Sequence, residues 1–300
     1  MPTTKDVKFQ YALLFQDDAQ GREQIFDFQT WINSMRNVPY KQRNKRVYTN
    51  LIRLDKCSSE NENDHLIGLR FLRLRDSNIP YKVPEQGEAE NLDIADNEYI
   101  GESLHIVYDT VKNYFMLQIN RNSVGLNSVA AYIQSTLPPE MNPVRFRTFH
   151  RDLKYISSQL QHGYYKAIEL GFANIDALPA GAFQTLGGAL NTAKKGEAHT
   201  VSLKIASGRK KNKALNNAWV IAVLNDVLEN LNMFSSAKIK YCDDVSTRGK
   251  TLNLLDLVET STLKVPIEAR KTIDFDKIIG MMKQEYSKKK VVLDKMRNQK

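Results

Sequence analysis

The sequence predicts an α+β fold: two mixed domains with antiparallel sheets, closed by a C-terminal amphipathic helix. Three observations predict it. Several stretches of the first half alternate apolar and polar residues with a period of two, and two of them are joined by a short polar connection, as in an antiparallel hairpin. Helical spacing separates such stretches, at Phe28, Trp31, Ile32 and Met35 and again at Val220, Val223, Leu224, Val227, Leu228 and Leu231. The same spacing returns near the end, at Phe275, Ile278, Ile279, Met282 and Tyr286.

In chain order, Val7 to Phe15 reads as a strand with Val7, Phe9, Tyr11 and Leu13 on one face. Asp27 is the expected N-cap of the first helix, which should end before Pro39. Strands follow over Val47 to Leu54 and Leu66 to Arg75, the latter with Arg73 and Arg75 on one face and Arg70, Leu72 and Leu74 on the other. Tyr99 to Tyr108 and Tyr114 to Arg121 should pair as a hairpin. Leu126, Val129, Ala130 and Ile133 have helical spacing, and Pro138-Pro139 marks a boundary between an N-terminal domain, 1–137, and a C-terminal domain, 143–300.

The second half opens with a short strand, Val144 to Phe149, and continues through 153–174, which fits strand or helix, with strand favoured for Ala167 to Phe172. Gly181 to Leu190 reads as helical and Val201 to Ile205 as a strand. A basic loop, Gly208 to Lys213, then runs into the clearest helix of the chain, capped by Asn216 or Asn217. Ala237 to Tyr241 and Thr251 to Val258 are expected strands, and the last helix should cover about 273–296.

Composition bounds the function. The chain has 300 residues, 42% of them apolar, enough to bury a sizeable core. Apolar runs such as Trp219 to Leu224 are far shorter than the ~20 residues a membrane span needs, so a cytoplasmic protein with no membrane partner is expected. Cys57 and Cys242 lack the spacing of a zinc or redox motif and read as two buried free thiols.

Charge is the informative quantity. Over 1–150 there are 18 Lys and Arg against 19 Asp and Glu, whereas over 151–300 there are 25 against 15, so the second half carries the whole excess of +9. A localised basic field suits a polyanion, since phosphate affinity comes largely from charge neutralisation and counterion release. The candidate contacts are Arg209, Lys210, Lys211 and Lys213, flanked by Lys204, Arg248 and Lys250. Between a strand and a helix N-terminus, such a loop can meet phosphates with side-chain charge and free amides together. The bland reading is a solvated loop. Lys288, Lys289 and Lys290 are explained by the negative end of the helix dipole alone. Arg70, Arg73 and Arg75 could form a phosphate-reading stripe, but pairing with Asp93, Asp96 and Glu98 is favoured because that half of the chain is nearly neutral. Tyr164 and Tyr165 could stack on bases, or simply pack.

Other chemistries find little support. Asp93, Asp96, Glu98 and Glu102 form the one carboxylate cluster with a conceivable metal role, as in a metal-dependent nuclease, but their spacing matches an acidic loop. The five histidines show no i, i+4 pair, and neither a phosphate-binding loop nor a serine-nucleophile elbow is present. No catalytic residue, metal or cofactor is therefore expected.

The block Phe71-Leu72-Arg73-Leu74-Arg75-Asp76, Asp96-Asn97-Glu98-Tyr99-Ile100-Gly101-Glu102, Val107-Tyr108-Asp109 and Leu117-Gln118-Ile119-Asn120-Arg121-Asn122 resembles an uncharacterised family of bacterial and prophage proteins, a domain of unknown function, over roughly residues 65–137. The layout of the whole chain is more loosely similar to that of RexA-type phage-exclusion proteins. The features in common are the opening strand and helix, the strand, basic loop and helix of Val201 to Val227, the strand Thr251-Leu252-Asn253-Leu254, and a last helix with a Tyr and a lysine-rich exit. That resemblance implies a homodimer binding DNA, ahead of RNA, with little sequence preference. It also implies a role in phage defence by superinfection exclusion, beside a possible second defence protein. An interaction protein whose basic surface docks an acidic partner is the remaining alternative.

Overall fold

The computed structural model describes residues 3–58, 64–150, 164–172, 175, 178, 183, 185–208, 213–242, 245 and 249–298. Their architecture is α+β, with antiparallel sheets and a C-terminal helix. Two compact units emerge. The first comprises Met1–Arg145 and Ser261–Lys289, the second Phe146–Thr260 and Lys290–Lys300. The chain leaves the first unit after Arg145 and returns to it at Ser261.

The first unit is built on a sheet ordered β13-β1-β7-β6-β5-β4-β3, where β1 is Thr3–Asp17, β3 Lys45–Val47, β4 Asn50–Cys57, β5 Leu66–Arg75, β6 Ile100–Asp109, β7 Tyr114–Ile119 and β13 Thr260–Ile267; a short β2 (Glu23–Ile25) pairs with β1. The predicted hairpin is present, with β6 and β7 antiparallel and Tyr108 opposite Phe115. Its turn is held by the Asp109 carboxylate, which accepts from the Val111 and Lys112 amides, while Asn113 takes a positive φ of 60°.

Both faces of this sheet are covered. On one lie α1 (Phe28–Arg36) and α3 (Leu126–Gln134), with a single turn, α2 (Tyr40–Arg43), between them. Asp27 caps α1 as expected, accepting from the Thr30 amide. Phe28 packs edge-on against Tyr108 and Phe115, and Tyr132 of α3 against Phe71. The Tyr132 hydroxyl accepts from the Leu54 amide and donates to the Arg43 carbonyl, and burial pushes its pKa up to about 12.

On the opposite face lies the first part of α6 (Phe275–Arg297). Its stripe of Phe275, Ile278, Ile279, Met282 and Tyr286 is buried, as its spacing predicts. Tyr286 donates to Asp109 at 2.6 Å, and a chain from Tyr11 through Ser261 to Glu285 joins strand and helix at 2.8 and 2.7 Å. Strand β8 (Val144–Thr148) and α6 both run from one unit into the other.

The second unit holds a four-stranded antiparallel sheet ordered β10-β9-β11-β12, where β9 is Tyr164–Phe172, β10 Val201–Ala206, β11 Phe234–Cys242 and β12 Lys250–Asn253. One face packs on α4 (Gly187–Lys195) and α5 (Asn217–Glu229). Val220, Val223 and Val227 of α5 are fully buried there, and Phe172, Phe183 and Phe234 form a ring cluster with centroids 4.6–5.5 Å apart. Asn216 caps α5 by accepting from the Trp219 amide.

Three expectations shift. The strand predicted over Thr251 to Val258 ends at Asn253 and tightens into a 3-10 turn, Leu254–Leu257, because the Asn253 side chain accepts from the Leu255 amide and pulls the backbone out of the ladder. Gly181 to Leu190 lies partly outside the described residues, and the helix begins at Gly187 and continues to Lys195. Both cysteines are free, but only Cys242 is buried; Cys57 is partly exposed. Among the described residues, no helix is long and apolar enough to cross a membrane.

Candidate nucleic-acid interface

The charge imbalance sharpens when it is counted by unit. The first unit holds 24 Lys and Arg against 23 Asp and Glu, the second 19 against 11, so the second carries +8 of the +9.

Strand pairing decides where the described part of that charge points. In β10, Val201, Leu203 and Ile205 pack on the helices, which leaves Ser202, Lys204 and Ala206 on the other face. In β11, Ala237 and Ile239 are buried and Lys238 and Lys240 are exposed. Lys204 lies opposite Glu169 of β9, and Glu169 lies opposite Lys238. One row of the open face is therefore Lys204, Glu169, Lys238, and the next carries Lys240 between Ala167 and Thr251.

Glu169 is the carboxylate at the centre of this group. It accepts from Lys204 at 2.6 Å, and that hydrogen bond, with the charges of Lys204, Lys238 and Lys240, holds its carboxyl below the ordinary range. The Lys204–Glu169 pair is largely exposed and so contributes little to stability. Lys238 and Lys240 make no ion pair among the described residues.

A bulge in β9 organises one end of the sheet. Between Lys240 opposite Ala167 and Tyr241 opposite Tyr165 the register slips by one, so that Lys166 forms the bulge. Tyr165 consequently turns into the core while Tyr164 and Lys166 fall on the lysine-bearing face. The Lys166 ammonium donates to the carbonyls of Lys213 at 2.9 Å and Val245 at 2.8 Å. Its carbonyl accepts from the Ser207 amide, and that of Tyr165 from the Leu215 amide. The roots of the 208–214 segment and the residue preceding 246–248 thus meet at Lys166.

The predicted site residues distribute accordingly. Lys204 is on the open face and Lys213 is exposed at the root of its loop. Lys250 is exposed at the end of β12 opposite Tyr241, with the parity of the core-facing residues, so it is not in the row of Lys204. Arg209, Lys210, Lys211 and Arg248 lie outside the described residues. Sequence reasoning missed Lys238 and Lys240. Their signal was present in Ala237-Lys238-Ile239-Lys240-Tyr241, since lysines two apart in a strand must share a face.

Arg70 pairs with Asp55, which also accepts from Arg53, and Arg75 approaches Glu102 at 3.6 Å; the described residues show no pairing with Asp93, Asp96 or Glu98. A bulge at Asp55 explains this, because it turns that carboxylate toward Arg70. Of the loop carboxylates, Glu98 accepts from the Ala95 amide. Among the described residues no three His, Cys, Asp or Glu side chains gather in a way that could hold a metal ion.

No curated protein matches the chain. The resemblance read over roughly 65–137 extends much further, since residues 2–299 match one family throughout. The chain belongs to the family of unknown function DUF6731.

Proposed function

We propose that this protein binds DNA, ahead of RNA, with little sequence preference through its second unit, as a cytoplasmic homodimer acting in phage defence or prophage exclusion beside a possible second defence protein. One observation carries the binding step: the unit holding +8 of the net charge turns exposed Lys204, Lys238 and Lys240 to the open face of its sheet. The roots of the basic loop meet that sheet at Lys166. Lysine binding to phosphate supplies affinity without base information, so little sequence preference is expected. The setting in phage exclusion, the dimer and the second protein rest on the resemblance to RexA-type proteins. The apolar stripe of α6 lends the dimer no support, because it is buried within the chain.

The test is salt-dependent binding. Replacing Arg209, Lys210, Lys211 and Lys213 by Ala, and separately Lys204, Lys238 and Lys240, should weaken binding equally for unrelated sequences. Every phosphate that is no longer neutralised should flatten the dependence of log K on log salt by ~0.9 on duplex or ~0.7 on single strands. Folded variants that both keep the parent affinity and slope would overturn the reading.

A further inference from the structure

We infer that the open face of the second unit's sheet takes single-stranded nucleic acid, with Tyr164 as a base-stacking platform; this rests on the DNA-binding reading above. Size is the first argument. Four strands span three spacings of about 4.8 Å, roughly 14 Å in all before side chains are added. The major groove of B-DNA is about 12 Å wide and admits a helix or a two-stranded ribbon. A four-stranded face cannot enter it and would touch a duplex only along the rim of its backbone, whereas a flexible strand can lie across the whole sheet.

Relief is the second argument. Ser202, Gly171 and Ser236 stand side by side in one row, and Ala206 and Ala167 in another. Ser202 and Ala206 are exposed on either side of Lys204, while Gly171 and Ala167 are buried at the floor of this face. A Cβ at Gly171 would come within 2.6 Å of Ser236 Oγ, so the serine hydroxyl closes over the glycine. Lys204 and Lys238 stand on either side of Glu169 in the adjoining row, so a backbone laid across the sheet meets two ammonium groups and the one carboxylate between them.

The ring is the third argument. The bulge at Lys166 sends Tyr165 into the core and leaves Tyr164, 43% exposed, on the same face as Lys238 and Lys240. Its hydroxyl has no hydrogen-bond partner among the described residues. An exposed aromatic ring beside Lys238 and Lys240, which make no ion pair among the described residues, is the combination that single-strand sites use, since every base offers a π-face to stack.

The experiment compares one mixed-sequence DNA oligonucleotide, alone and annealed to its complement, in fluorescence-anisotropy titrations with the full chain. The single strand should bind more tightly. Tyr164→Ala should weaken single-strand binding about 5-fold or more, with little change on duplex, and Tyr164→Phe should restore it. Equal or tighter duplex binding, or a Tyr164→Ala variant indistinguishable from the parent, would overturn the single-strand assignment while leaving the DNA-binding reading in place. Failure to bind either form would overturn both.

Discussion

His105 sits in β6 with 1% of its surface exposed. Its Nδ1 lies 2.8 Å from Gln118 Oε1, an oxygen that can only accept, so Nδ1 carries the proton and Nε2 is the bare nitrogen. Nε2 has no partner among the described residues. A second proton would therefore place charge in a dry site, and burial, opposed by the Gln118 bond and aided by Arg70, holds the imidazole pKa below its ordinary value near 6.5. The sign follows from proton uptake. As pH falls through about 6.5 the unfolded chain binds a proton that the folded chain refuses, so the contribution of His105 to stability declines with acidification. His105→Asn keeps a donor toward Gln118 and removes the titration. It should cost about 1–2 kcal/mol near neutral pH, and urea melts should show a shallower loss of stability from about pH 7 to about pH 5 than in the parent. An unchanged pH slope would argue against the buried neutral imidazole.

Among the elements, α6 shows how a sequence pattern becomes a docked helix. Its stripe was legible from period alone, but its seat was not. Gly68 of β5 marks that seat, because a Cβ there would stand 2.5 Å from Ile279 Cγ2. Gly68→Ala should destabilise by about 1–3 kcal/mol through overpacking. Ile279→Ala should cost about 2–5 kcal/mol through its cavity, while the double variant should be less destabilised than the sum of the two. Additive destabilisation in denaturant melts would show that the helix does not bear on β5 at this point.

The strands that sequence missed were missed for physical reasons. Thr260–Ile267 alternates weakly and contains Pro266, which lacks the N–H of an inner ladder; it is tolerated because β13 is the first strand of its sheet path. The candidate site was half legible. Lys204 and the basic loop declare themselves by composition, but Lys238 and Lys240 are separated by an apolar residue and register as a surface only when period-two geometry is applied. The bulge that exposes Tyr164 and ties Lys166 to two loop roots depends on pairing between β9 and β11, distant in sequence, and no local pattern encodes it.

For the whole molecule, the decisive fact is that the first unit is not contiguous. β1 lies between β7 and β13 in its sheet, and the residues it turns toward α6, including Val7, Phe9 and Tyr11, are buried. A fragment ending at Arg145 lacks both the strand that closes β1 and the helix that covers this face, so a large apolar surface and a row of backbone donors and acceptors lie open to water. Such a fragment also lacks Tyr286, which leaves Asp109, a carboxylate built for burial, without its hydroxyl partner. We expect residues 1–145 to show no cooperative thermal transition by circular dichroism, and to regain one when 261–289 are attached through a flexible linker. A fragment 1–145 that melts cooperatively without that addition would show that the N-terminal sheet folds without the returning strand and helix.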